Sequence, residues 1–209
     1  NRPKNFRPVR NEQSDPEQFA MLIRFCIFAS TVWRNFLTWL SEAGQGRATL
    51  NKDRTMALDV GDKAPDFDLP TDGGGSVKLS DLKGKPVVIY FYPKDMTPGC
   101  TTESCEFRDA EPDFSAGNAQ IIGISKDSAN SHDKFKAKHD LNFILASDEN
   151  STTCEDYGTW TEKSMYGKKF MGIERSTFVI DGDGVIRNVW RKVKVKNHVA
   201  EVLGAVKAL

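Results

Sequence analysis

The chain has 209 residues, room for one domain with an appendage or two small domains at ~100–200 residues each. Lys plus Arg and Asp plus Glu number 29 each, so the chain lacks the field that polyanion binders use, and nucleic acid is excluded as an expected partner. The apolar share is 39%, rising to about 45% when Gly is counted in place of Tyr, in keeping with a soluble globular protein.

The neutral total conceals a net +4 over residues 1–55 and −4 over residues 56–209, which marks two different segments. Four cysteines, Cys26, Cys100, Cys105 and Cys154, are too few for a disulfide-scaffolded secreted domain. With no C-x-x-C, no H-E-x-x-H and three scattered histidines, His132, His139 and His198, no metal site is expected.

Residues 1–18 are polar and charged without apolar periodicity, a composition expected to stay disordered. Residues 19–40 are apolar, but Arg24 and Arg34 leave a longest uncharged run of nine residues, against the ~20 that a spanning helix needs. Arg24, Thr31, Asn35, Thr38 and Glu42 fall on one helical stripe, interrupted by Phe28. An amphipathic helix at 19–40 follows, read first as a docked or merely hydrophobic extension and second as a membrane-surface or targeting helix. GQGR and NKDR then read as linker. The chain opens on Asn1, and Met56 immediately precedes the first globular-looking stretch, so residues 1–55 are expected to be dispensable and foreign to the native product.

From residue 56, β-branched runs alternate with helical stretches. GDKAPDFDLP and SVKLS flank the turn TDGGG and predict an N-terminal hairpin. PVVIYFYP (86–93) is a continuous apolar run ending at proline, the pattern of a central strand buried on both faces. A helix is predicted from Pro98 to Phe114, a strand at 119–125, a polar helix around 128–140, a strand at 143–147 and a short helix near 151–158. The strand 176–181, the turn DGDG, the strand 185–193 and a closing helix at 197–209 complete an α/β domain, a mixed central sheet covered by helices on both faces.

The stretch FYPKDMTPGCTTESC (91–105) stands where the buried strand hands over to a helix. Thr97 is a suitable N-cap, and Pro98 suits the first helical position because its missing N–H is not needed there. Cys100 is then the third helical residue, near unsatisfied N–H groups and the positive end of the macrodipole, both of which favour a thiolate. The alternative is a buried small hydrophobe at an ordinary helix start. Cys105, five residues on, favours the redox reading.

Pro93, Thr97 and Cys100 reproduce the P-x-x-x-T-x-x-C motif of peroxiredoxins, and Cys105 adds the offset seen in the bacterioferritin comigratory protein, or PrxQ, subfamily. The stretches GDKAPDFDLP and YGTWTEKSMYGKKFMGIERSTFVIDGDG and the closing helix are similar as well, so the resemblance covers roughly residues 58–209. It implies a thioredoxin fold and a thioredoxin-dependent thiol peroxidase that reduces hydrogen peroxide and organic hydroperoxides without cofactor or metal. It implies that Cys100 is the peroxidatic nucleophile, passing through a sulfenic acid, and that Cys105 is the resolving partner in an intramolecular disulfide. Thr97 would hydrogen-bond thiolate or peroxide, Pro93 would shield the sulfur, and Arg175 would hold the thiolate and stabilise charge on the oxygens. A hydroperoxide substrate, thioredoxin or a similar dithiol as reductant, a monomer, and a cytoplasmic rather than membrane or organellar setting are the corresponding expectations. The competing reading is a thioredoxin-like protein disulfide oxidoreductase, disfavoured because Cys100 and Cys105 are not an adjacent redox pair.

Cys154 reads as a small residue near a helix start, Trp160 and Trp190 as packing residues, Glu103 and Glu106 as favourable charges in an early helical turn, and RKVKVK (191–196) as a strand with a solvated face.

Overall fold

The structure, a computed structural model, describes residues 58–165 and 167–209, all within the unit Thr55–Leu209. The readings made for residues 1–57, including the helix at 19–40 and Cys26, lie outside the described residues.

Strands β1 (Asp68–Pro70) and β2 (Ser76–Lys78) form the expected antiparallel hairpin, with Leu69 opposite Val77. Its turn is also an anchor. Asp72 accepts from Leu145 N–H at 2.8 Å and from Lys136 Nζ at 2.6 Å, and Gly73 N–H donates to Asp133 at 2.7 Å.

The central sheet has the order β5-β4-β3-β8-β9. It is built from β3 (Val87–Phe91), β4 (Gln120–Ser125), β5 (Ile144–Ser147), β8 (Ser176–Ile180) and β9 (Ile186–Arg191). Strands β3, β4 and β5 run parallel, whereas β8 and β9 are antiparallel to their neighbours. Strand β3 is buried on both faces as its uninterrupted apolar run predicts. Alternate side chains Val87, Ile89 and Phe91 join one core cluster, and Val88, Tyr90 and Tyr92 join the other.

Helices α1 (Pro98–Ala116), α2 (Ala129–His139) and α4 (His198–Val206) place Phe107, Phe114, Phe135, Val199, Val202 and Val206 in a single cluster on one side of the sheet. The opposite side is closed by Leu69 and Val77 of the hairpin, by Leu79, and by Cys154 and Tyr157 at the one-turn helix α3 (Thr153–Asp156). Helices thus lie on both faces, as expected, but unevenly, with three on one side and the single turn of α3 beside the hairpin on the other. Strands β3, β4 and β5 are laid down in one direction across the sheet, and two right-handed crossovers in the same direction put both helices on the same face.

Two further differences stand at the edges. A second hairpin, β6 (Trp160–Met165) with β7 (Lys168–Ile173), has no counterpart in the predicted elements. Residues 168–171 are exposed, Phe170 and Met171 included, so no burial pattern marked the strand. Strand β9 ends at Arg191, short of the strand expected through RKVKVK, because Lys192 adopts a positive φ of 51° that extended backbone does not allow.

Gly123 on β4 sits opposite Tyr90 in register, and a Cβ there would lie 2.7 Å from Tyr90 Cζ and Oη and 2.9 Å from Leu145 Cδ2. The tyrosine ring occupies the space that a side chain would need. Gly123→Ala is expected to destabilise the domain by about 1–3 kcal/mol through overpacking, read as a lowered denaturation midpoint with an unchanged m-value.

Candidate active site

Helix α1 starts at Pro98, so Cys100 is its third residue, as the Thr-Pro start requires. Thr97 occupies the N-cap position in extended conformation, but its hydroxyl does not cap the helix. It donates back to the Lys94 carbonyl at 2.9 Å instead. First-turn N–H groups beside Cys100 are thereby left without a side-chain acceptor, and the Thr97 oxygen keeps its lone pairs for another donor.

Arg175 stands between β7 and β8, 75 residues from Cys100 in sequence. Register brings them together: Ser176 at the start of β8 pairs with Phe91 at the end of β3, so Arg175 arrives beside the loop that leads into α1. Its Nη2 donates to Cys100 Sγ at 3.2 Å. Its Nη1 donates to Glu103 Oε2. One guanidinium thus spans the sulfur and a carboxyl one helical turn further along, since Cys100 and Glu103 share a face at i, i+3.

Cys100 and Glu103 are buried, at 1% and 0% exposure, and the Arg175 side chain is 15% exposed. Burial works against the Arg175 charge, yet Glu103 and Cys100 more than offset it, and its pKa is raised. Burial also pushes the Glu103 carboxyl up to about 7, with Arg175 pulling the other way. The unpaired Glu103 Oε1, buried without a hydrogen-bond partner, is the local origin of that penalty. The sequence makes Glu103 a helix-start charge, and its i, i+3 spacing from Cys100 is the local signal for the shared face, whereas its burial is set by the tertiary fold.

Cys105 lies on the same helix, partly exposed, and Cys100, Cys105 and Cys154 are all free thiols. Ser104, beside Cys105, is buried with its Oγ 3.0 Å from the Tyr90 hydroxyl. Pro93 ends the strand segment and is exposed. Cys154 is buried in α3, and desolvation with the neighbouring Asp148 carboxylate pushes its thiol far above the usual range. That is the environment of an inert thiol. Trp160 and Trp190 pack against the core, Trp160 with Lys126 Nζ 5.4 Å from its ring centroid. Of the five residues singled out, the structure joins Cys100 directly to Arg175, and places Thr97 at the helix start and Cys105 farther along the helix.

Cys100 thus presents a thiol at a helix start, facing a guanidinium. The AhpC/TSA family model matches residues 60–189. The chain belongs to the AhpC/TSA family. A putative peroxiredoxin bcp of Coxiella burnetii is 56% identical over 149 residues, which is 71% of this chain and 99% of that protein. Peroxiredoxin Bcp of Bacillus subtilis is 55% identical over 152 residues, 73% of this chain and 97% of that protein. The solved structure of Xanthomonas campestris bacterioferritin comigratory protein, studied for alkyl peroxide reduction, superposes with a TM-score of 0.66 at 46% identity, covering 68% of this chain and 90% of that one. The fold is that of thioredoxin-like peroxiredoxins, and the chain is a peroxidase, not a general protein disulfide oxidoreductase.

Glu103 ties this site to stability. A carboxyl whose folded-state pKa is raised to about 7 from 4.5 takes up a proton on folding within that interval, so its contribution is full at low pH and is lost as pH rises through 7. Denaturation midpoints measured from pH 4.5 to 8 should fall for the wild type across this window relative to Glu103→Gln, which has no proton to lose.

Proposed function

We propose that Cys100 is the peroxidatic nucleophile and Cys105 the resolving cysteine of a thioredoxin-dependent cycle. The observation that carries this reading is the 3.2 Å contact between Arg175 Nη2 and Cys100 Sγ at the start of α1. The thiolate attacks the terminal oxygen of a hydroperoxide, the O–O bond breaks, and the departing alkoxide or hydroxide takes a proton, leaving a sulfenic acid. Negative charge grows on both oxygens during this step. Arg175, the Thr97 hydroxyl and the uncapped N–H groups of α1 are the donors available to receive it. Pro93 is assigned the shielding of the opened site from its place in the motif. The Cys105 thiol then attacks the sulfenic sulfur, an S–S bond forms and water leaves. A dithiol reductant of the thioredoxin kind restores both thiols by exchange.

Hydrogen peroxide and alkyl hydroperoxides are the proposed substrates, since the related Xanthomonas campestris protein was studied for alkyl peroxide reduction. Among the described residues no helix is long and apolar enough to cross a membrane. A cytoplasmic monomer whose working domain is residues 56–209 is the setting proposed for this chemistry. The relatives support that boundary, since 71–73% of this chain aligns with 97–99% of their length.

Resolution needs a change of shape. On an ideal helix, residues five apart have Cα atoms about 8.6 Å from each other, and a disulfide tolerates at most ~6.8 Å. Helix α1 must therefore unwind through its first turns, and the Tyr90–Ser104 and Arg175–Glu103 contacts lie in its path. Gly99 and the pair Thr101-Thr102 lower the helix propensity where this happens.

Cys100→Ser should abolish peroxide consumption while circular dichroism and melting behaviour stay those of the wild type. Retained turnover would move the nucleophile elsewhere. Cys105→Ser should undergo one stoichiometric oxidation to a sulfenic acid that dimedone traps, and should lose turnover with thioredoxin. Peptide mapping of the oxidised wild type should yield a Cys100–Cys105 link within one chain; a Cys100–Cys154 link would reassign the resolving residue.

A further inference from the structure

Between Pro93 and Thr97 the chain makes a short turn whose position sets where α1 begins. Within this turn Met96 holds a positive φ of 60°, a conformation that non-glycine residues keep only when their surroundings impose it. Among the described residues, Thr97 is tied only to the same turn, through Lys94 O, and to α1, through Thr101 N–H at 2.8 Å. Among the described residues, every hydrogen bond joining residues 93–97 to the rest of the domain, α1 aside, runs through Asp95.

Asp95 is 5% exposed and clamped by both its backbone and its side chain. Its N–H donates to Asp127 Oδ2 at 2.7 Å, an oxygen that also accepts from Ser125 Oγ at 3.1 Å at the end of β4. Its Oδ1 accepts from the Tyr92 hydroxyl at 2.8 Å. Its Oδ2 accepts from Ser131 Oγ at 2.7 Å and from His132 Nδ1 at 2.9 Å, both in the first turn of α2. His132 and Tyr92 are fully buried, so no water competes for these bonds. Three donors converge on one carboxylate, and an acceptor-only group is what they require.

We propose that Asp95, fixed by Tyr92, Ser131 and His132, is a positioning residue for peroxide cleavage: it anchors the turn that sets Thr97 and Cys100 opposite Arg175. The inference rests on Cys100 being the nucleophile. Asp95 touches no reacting atom. It acts by keeping the Met96 turn from relaxing, since a relaxed turn would carry the Thr97 oxygen and the start of α1 away from Arg175, whose backbone is held separately, between β7 and β8, by Val193 N–H donating to its carbonyl at 3.0 Å. The reductive half of the cycle does not need the clamp, because the reductant attacks a disulfide already released from the helix.

The test uses the full chain and separates the half-reactions. Rapid mixing with hydrogen peroxide gives the second-order rate of Cys100 oxidation, and rapid mixing of the preformed disulfide with reduced thioredoxin gives the reductive rate. Asp95→Asn turns an amide N–H₂ toward existing donors and should slow oxidation by about tenfold to a hundredfold, the scale of a sub-ångström to one-ångström misplacement. The reductive rate should be unchanged. The pair His132→Asn and His132→Leu keeps the question decidable if Asp95→Asn folds poorly. Asparagine can present its N–H₂ where Nδ1 stood, and should react within about threefold of the wild type, whereas leucine fills the buried volume without a donor and should resemble Asp95→Asn. Wild-type oxidation rates in Asp95→Asn, a parallel fall in both half-reactions, or His132→Leu outpacing His132→Asn would each overturn the proposal. Undiminished peroxide consumption by Cys100→Ser would instead show that the nucleophile itself was wrongly assigned.

Discussion

A single guanidinium, shared between a buried sulfur and a buried carboxyl, is the contact around which this site is arranged. Arg175 can serve both only because Cys100 and Glu103 are one turn apart on α1 and because β8 delivers it to the end of β3. Removing such a charge from water is costly, and here it is offset by two partners in place of one. Glu103 in turn is strongly desolvated and keeps one oxygen unpaired. The group holding the sulfur is therefore poised between the pull of two acceptors and the penalty of their burial. An arrangement of this kind suits the proposed cycle, in which the same helix is released later.

The reactive helix combines two opposed requirements. Cleavage of the O–O bond needs donors already in place, which favours a fixed helix start. Disulfide formation in the proposed cycle needs Cys100 to travel toward Cys105, which favours a helix start that opens. The structure divides the work along the chain. Upstream, Asp95 fastens the entering turn to the loop after β4 and to α2 through polar bonds at least partly buried. Downstream, Phe107 and Phe114 bury the body of α1 against the sheet. Between these anchors lie Gly99, Cys100, Thr101 and Thr102, and the contacts that must break there are few.

The sheet provides the frame for both. Tyr92, Tyr90 and Phe107 stack in that order on the helix side of β3, Tyr90 lying 5.4 Å from Tyr92 and 4.6 Å from Phe107 between ring centroids, and Gly123 leaves the room that the Tyr90 ring occupies. The hydroxyls of the two tyrosines then reach Ser104 on α1 and Asp95 in the entering turn. Tyr90 in β3 and Tyr92 just past its end, on the same buried face, thus touch both ends of this segment.

Much of the fold was legible because its signals are local. The uninterrupted run at 86–93 marks a strand buried on both sides, Thr97-Pro98 marks a helix start, and the position of Cys100 in the first turn follows from counting. Hairpin β6–β7 is not legible because exposed strands carry no apolar alternation, and the uneven share of helix on the two faces depends on strand order, which no local pattern records. By itself, then, the sequence determined the strand, the helix start and the place of Cys100 in its first turn. Only the tertiary structure decided that Arg175 meets Cys100, that Glu103 lies buried beneath both, and that Asp95 finds Ser131 and His132, because each of these contacts joins residues far apart in the chain through strand register and helix placement that the whole sheet sets together.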